Sequence, residues 1–269
     1  MIITKKEVDY IKLQPENHDC KINVDFGLKI VSAKRTSREI ILNNTLTFSL
    51  GEKIKENFCY IIDDDGINPV AFFSDTTNRF YKLTPTPDWP TISIGSVPMH
   101  KLKSPRKDTQ SKIKFAKPQG IVLDTCMGLG YTAIGASEKA RKVITFEADS
   151  NVAAIARTNP ISKPLFSKNN IEIRHVDVTE GIEKFGKNYF DSIIHDPPTF
   201  KLSPDLYSIK FYGQLLRVLK SGKYMFHYTP LYKVKQGYDF PSRVKGNLKK
   251  AGFKIISFSQ EACGWLCKK

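Results

Sequence analysis

The sequence predicts an α/β fold: an open, mostly parallel sheet with helices on both faces, preceded by a small N-terminal β domain. Three observations carry this expectation. Beyond residue 120, short apolar runs alternate with helix-like segments joined by short connections, the pattern of repeated strand–helix units. Before residue 90, β-rich runs are separated by turn-forming pieces at hairpin spacing. Between the two lies a stretch marked by Pro85, Pro87, Pro90, Pro98 and Pro105, which interrupts helices and central strands alike. The expected organisation is a β-rich domain over 1–90, a basic linker or strap over 91–118, and the sheet domain over 119–269.

In the first domain the strand candidates are 39–42 (EIIL), 45–50 (TLTFSL), 58–62 (FCYII) and 70–73 (VAFF). Asn43-Asn44, Asp63-Asp64-Asp65-Gly66 and Thr76-Thr77-Asn78 supply the turns. The second series opens with a strand at 121–124 (IVLD), then a turn and a helix over 131–139. Strands follow at 143–147 (VITFE), 171–176 and 192–195. Leu206, Ile209, Leu215, Leu216 and Leu219 fall at mostly helical spacing, so 205–219 reads as one helix, closed by Gly222. A strand at 223–227, a helix at 240–251 and a strand at 253–258 complete the chain's pattern. In open sheets of this kind, ligands bind beyond the carboxyl ends of the strands, where the strand order reverses.

Composition excludes several classes. With 41% hydrophobic and 26% charged residues, the chain is an ordinary soluble type. It offers no run near the ~18 apolar residues of a membrane helix. The opening MIITKKEVDY places charges where a signal peptide has its apolar stretch, so no membrane and a cytoplasmic location are expected. Five cysteines are few and odd in number for a disulfide scaffold. Cys263 and Cys267 have no second pair nearby to complete a zinc site, and no metal is expected. The net charge of +15 is concentrated. Residues 91–118 hold 7 Lys and Arg against 1 acid, and residues 201–269 hold 14 against 3, whereas 1–90 and 119–200 are balanced. Clustered cations of this kind are the footprint expected for a phosphate backbone, with a solvated face the plainer alternative.

Four motifs carry chemistry. The first strand ends in Asp124-Thr125-Cys126-Met127-Gly128-Leu129-Gly130, followed by Tyr131 and Thr132. Two glycines allow a sharp turn and a close ligand approach ahead of a helix, but the pattern is neither GxGxxG nor a phosphate-cradling loop. An acid in first position repels a pyrophosphate and suits a cationic ligand. Glu147 ends the second strand, where a carboxylate can accept both hydroxyls of a ribose or simply cap a helix. Asp177-Val178 follows the third strand, placed to meet an adenine or to start a helix. The fourth motif is Asp196-Pro197-Pro198-Thr199-Phe200, where a rigid, carbonyl-rich turn and a carboxylate can hold an amine and Phe200 can stack on a base.

With these motifs in order, residues 120–260 resemble the class I methyltransferases that use S-adenosylmethionine, and more narrowly the predicted archaeal methyltransferases with an LDTCMGLG-type loop. The resemblance implies a Rossmann-like seven-stranded sheet with a reversed final hairpin, for which 253–258 and 262–267 are the candidates. It implies that Asp124, Cys126, Gly128, Gly130, Tyr131 and Thr132 cradle the methionine end of the cofactor, Glu147 the ribose, and Asp177 and Val178 the adenine. Asp196, Pro197 and Phe200 would form the catalytic end. The DPPTF form is similar to certain rRNA methyltransferases, yet cytosine C5 chemistry needs a cysteine nucleophile. No cysteine lies between Cys126 and Cys263, so a nitrogen on tRNA or rRNA is the expected target. In related enzymes a segment ahead of the glycine loop folds over the cofactor, which makes His100 and Lys101 substrate-side candidates. Lys249 and Lys250 are candidates for gripping RNA.

Three rivals remain. Aminopropyltransferases join a small β domain to this sheet and act with decarboxylated S-adenosylmethionine, but a polycationic substrate wants several acids at the pocket mouth. The others are a small-molecule methyltransferase and a non-catalytic RNA-binding subunit. The sequence leaves the oligomeric state open.

Overall fold

A computed structural model describes residues 1–100, 103–231 and 239–269. Two compact units emerge: Met1–Pro105 with Asn151–Lys163, and Arg106–Ser150 with Pro164–Lys269. No described helix is long and apolar enough to cross a membrane.

The first unit is built on three small antiparallel sheets. Cys20–Val24, Lys29–Arg35, Glu39–Leu42 and Leu46–Ser49 form one, in chain order. Alternating burial along these strands packs Ile22, Val31, Ile40, Leu42 and Phe48 into a core with Val8 and Ile11 of the helix Lys5–Lys12. Asn43 and Asn44 turn the chain at φ 49° and 60°, a left-handed conformation that Asn tolerates better than most residues. Two further strands, Thr91–Ile94 and Val97–Pro98, belong to a sheet with Arg79–Thr84 and Ala71–Ser74.

The described residues of 91–118 thus carry regular structure, and the second unit opens within them. Pro105 starts a helix, Pro105–Ala116, that reads as an interruption in the sequence. At the first helical position the missing N–H is no loss, and the ring presets φ.

The second unit contains the expected sheet. Its strands are β1 (Gly120–Asp124), β2 (Ala140–Phe146), β3 (Ile171–Arg174), β4 (Phe190–His195), β5 (Leu219–Tyr228), β6 (Lys254–Ser259) and β7 (Gly264–Lys268). They lie in the order β3-β2-β1-β4-β5-β7-β6. The first five run parallel and β7 pairs antiparallel to both β5 and β6, which is the reversed hairpin of the Rossmann-like methyltransferase sheet. Leu123, Ile144, Phe190, Ile193 and Met225 fill the core between sheet and helices. The order reverses between β1 and β4, so a ligand site is expected over their carboxyl ends.

One expected helix is broken in two. Residues 205–219 form a 3-10 turn, Pro204–Tyr207, and a helix, Ile209–Val218. Ser208 separates them because its hydroxyl accepts the Phe211 amide at 3.1 Å, an N-cap in the middle of an apolar pattern.

Candidate functional site

Three carboxylates converge on one edge of the sheet. Asp124 closes β1 and pairs in register with Thr145 of β2 and Ile194 of β4. Glu147 and Asp196 each stand two residues beyond those partners. The apolar runs that bury β1, β2 and β4 therefore deliver an acid apiece to the switch point.

Asp124 is fully buried. Its Oδ1 accepts the Thr132 hydroxyl at 2.9 Å and its Oδ2 the Thr145 hydroxyl at 2.6 Å. Burial pushes its carboxyl up to about 7, against the pull of both hydroxyls. Glu147 accepts the Gly128 amide on Oε2 at 2.9 Å and the Asp149 amide on Oε1 at 3.0 Å. It too is pushed up to about 7, chiefly by burial. Lys112 draws Asp124 down only in part, and Glu147 is held by these backbone amides.

The glycine turn has two kinds of glycine. Gly128 sits at φ 54°, and a Cβ there would meet nothing within 4 Å, so open space lies over the turn. Gly130 sits at φ 79° as the N-cap of the helix Tyr131–Ser137, and a Cβ would strike the Leu165 side chain at 2.4 Å. Gly130 is therefore required by packing, while Gly128 borders the site. Tyr131 and Thr132 are buried in the first turn of that helix. Cys126 is half-buried against the core, and burial raises its thiol well above the usual range.

Asp177 caps a short helix. Its Oδ1 accepts the Thr179 amide and hydroxyl, both at 2.7 Å, capping the helix Val178–Gly181. Val178 is buried in the core beneath.

Asp196 is the acid of the DPPTF turn, and its Oδ2 accepts from Lys112 Nζ at 2.6 Å. Lys112 also pairs with Asp108 at 2.6 Å and stands 4.2 Å above the Tyr228 ring. Burial alone lowers a lysine, but Asp196 and Asp108 more than offset it and hold Lys112 charged. Burial raises the Asp196 carboxyl, and Lys112 draws it back only in part. Pro197 is buried, and the Pro198 carbonyl is taken by the Tyr207 hydroxyl at 2.8 Å. Phe200, expected to stack on a base, instead packs edge-on against Tyr207 and Phe240, with the Arg243 guanidinium 5.6 Å from its ring. Its apolar ring gains more from that cluster than from open water.

Lys112 and Asp108 escaped the sequence reading. The signal available was Asp and Lys four apart on one helix face, which usually marks a solvated surface. Here that face points inward, and Asp108, Thr109, Ser111 and Lys112 are all buried.

Beneath the site, His195 and His227 form a neutral pair with ring centroids 4.6 Å apart. His195 Nε2 donates to the Leu206 carbonyl at 2.9 Å while Nδ1 accepts the Thr125 hydroxyl at 2.8 Å. His227 Nδ1 donates to the Tyr228 carbonyl at 2.7 Å, and Nε2 accepts the Tyr212 hydroxyl at 2.8 Å. Burial lowers both, His195 well below its ordinary range and His227 to about 4. His175 is exposed at the sheet's edge.

The substrate-side candidates separate. His100 belongs to the first unit, where its Nδ1 lies 3.0 Å from the Thr91 hydroxyl. Lys101 lies outside the described residues. Lys249 and Lys250 are exposed in the last turn of the helix Phe240–Lys250. That places Lys249 about 14 Å along the helix axis from Phe240, away from the DPPTF turn.

The strand order and the reversed final hairpin give a Rossmann-like sheet of the fold found in methyltransferases. The chain belongs to the family of the uncharacterized protein MJ1233 of Methanocaldococcus jannaschii, with which it is 40% identical over 232 residues, 83% of this chain and 78% of that one. No family model matches it. Among solved structures it is similar to spermidine synthase from Thermotoga maritima, at TM-score 0.56 and 18% identity over 95% of this chain and 80% of the other. A spermidine synthase in complex with the transition-state analogue AdoDATO gives 0.58 and 18% over the same shares. MnmC2 from Aquifex aeolicus gives 0.52 and 17% over 70% of this chain and 69% of that one. At such identities these likenesses establish the fold alone.

Proposed function

We propose that this protein is an S-adenosylmethionine-dependent methyltransferase acting on a nitrogen of RNA. One observation carries the cofactor reading: Asp124, Glu147 and Asp196 stand at the ends of three neighbouring strands, with Lys112 the single buried ammonium among the described residues. Asp124 and Glu147, both pushed up to about 7 chiefly by burial, suit a ligand that brings an ammonium, a sulfonium and ribose hydroxyls. The open space over Gly128 gives such a ligand room. The cofactor supplies an electrophilic methyl group.

The protein's share of the chemistry is modest. Glu147 accepts ribose hydroxyls and ties the glycine turn in place. Asp124 lends charge through its threonine hydroxyls. Asp196, its Oδ2 fixed by Lys112, offers Oδ1 to an N–H of the acceptor and aligns it for in-line attack. It then takes the proton released as the amine becomes a methylamine, a role its raised carboxyl favours.

Nitrogen is preferred over cytosine C5 because Cys126, half-buried and with its thiol raised well above the usual range, is a poor nucleophile. The RNA reading rests on the basic blocks at 91–118 and 201–269, which suit a phosphate backbone. Transfer of tritiated methyl from the cofactor to total RNA, with and without prior ribonuclease digestion, tests it. Label that stays in ribonuclease-sensitive material supports the reading. Label confined to small molecules overturns the RNA target.

The second reading is aminopropyl transfer, favoured by the fold shared with two spermidine synthases over 95% of this chain. Its cofactor lacks the carboxylate, so the two readings part on which sulfonium the protein prefers.

A further inference from the structure

We infer that Lys112 sets acceptor specificity: its ammonium fills the cation position on Asp196 and confines the acceptor to an uncharged nitrogen, excluding alkylammonium and polyamine substrates. The inference rests on the reading of Asp196 as the acid that meets the acceptor.

A lysine ammonium has three N–H groups and no acceptor. At Lys112 two are directed to Asp108 and Asp196, each at 2.6 Å, and the third side of the ammonium faces the Tyr228 ring at 4.2 Å. The side chain is 4% exposed, so water cannot take its place. It comes from the helix Pro105–Ala116, while its partners Asp196 and Tyr228 come from the carboxyl ends of β4 and β5. Three elements converge on one charge.

That geometry leaves Asp196 a single oxygen, Oδ1, for a substrate. A second ammonium there would lie within roughly 4–6 Å of Lys112 Nζ, a range in which like charges oppose each other's ionisation. A nucleobase amine or ring N–H carries no charge and needs only one acceptor oxygen. The same carboxylate that would draw a diamine in an empty pocket is already paired here. Lys112 thus occupies, within the chain, the place a cationic substrate would take.

Lys112→Ala deletes Cγ, Cδ, Cε and Nζ, the atoms of n-propylamine, and takes from Asp196 and Asp108 the ammonium they share. Calorimetric titration of wild type, Lys112→Ala and Lys112→Arg with n-propylamine and with 1,4-diaminobutane tests the inference. Wild type and Lys112→Arg are expected to exclude both amines at millimolar concentration. Lys112→Ala is expected to bind them at least about tenfold more tightly, since its buried acids regain a cation. Folded Lys112→Ala with unchanged amine affinity overturns the inference. So does wild type that binds 1,4-diaminobutane below millimolar concentration, an outcome that stands even where Lys112→Ala does not fold. Titration of wild type with S-adenosylmethionine, run beside it, reports separately on the proposed function.

Discussion

Glu147 holds the Gly128 amide at 2.9 Å, so the acid that follows β2 clamps the turn that follows β1. This bond couples the two halves of the candidate cofactor cup. Whatever sits against Gly128 feels the protonation state of Glu147. Protonated, Glu147 keeps one acceptor oxygen fewer for a ribose; ionised, it serves both the amide and the ligand.

A pH dependence follows. Ribose hydroxyls donate to the ionised carboxylate, and the Glu147 carboxyl is pushed up to about 7. Cofactor affinity should therefore rise between pH 6 and pH 8, by about tenfold from this group, with proton release on binding near pH 7. Calorimetry in buffers of different ionisation enthalpy measures both. Glu147→Gln should bind more weakly at pH 8 and lose most of the pH dependence. An unchanged profile in Glu147→Gln would remove this residue from the cup.

Asp196 should separate chemistry from cofactor binding. Asp196→Asn keeps the shape but removes the charge that orients and deprotonates the acceptor. Single-turnover methyl transfer should fall by about 10²–10⁴, with S-adenosylmethionine affinity within a few-fold of wild type. Equal loss of both would show that Asp196 belongs to the cofactor's site instead.

The buried histidines should make the fold acid-sensitive. His227 is lowered to about 4, so between pH 6.5 and 4 the unfolded chain binds the proton and the folded chain does not. Stability then falls as pH drops through that window, by about 3 kcal/mol from this residue, and is unaffected above it. Denaturant midpoints of wild type and His227→Gln at pH 7, 6 and 5 test this. The variant should start lower, having lost part of its bond to Tyr212, yet decline less steeply. Parallel declines would contradict it.

RNA binding should respond to Lys249 and Lys250 without involving the pocket. Their double substitution by Ala should weaken binding to total tRNA and reduce the salt slope by about 2. Cofactor affinity should not move. An unchanged slope would take the end of this helix out of any RNA interface.

Much of the site was legible because apolar strand runs end in single acids: Asp124, Glu147 and Asp196 follow directly from that pattern. The parallel strands were legible as apolar runs alternating with helix-like segments, whereas the reversed final hairpin was expected from the family resemblance. Illegible was the inward polar face of the helix Pro105–Ala116. A charged pair four residues apart looks solvated until its tertiary partners, 84 residues away in the case of Asp196, are known. Ser208 gave a related difficulty. Its extended backbone ends one helical turn and its hydroxyl starts the next, and apolar spacing alone does not register that break. Phe200 kept its place in the motif but spends its ring on Tyr207 and Phe240.

The central claim is that the strand-end acids form a cup for S-adenosylmethionine. Its most direct test is calorimetric titration of the purified protein with S-adenosylmethionine and, separately, with decarboxylated S-adenosylmethionine. The account predicts micromolar binding of the carboxylated form and a clear preference for it. Preference for the decarboxylated form, or binding of neither, would contradict it.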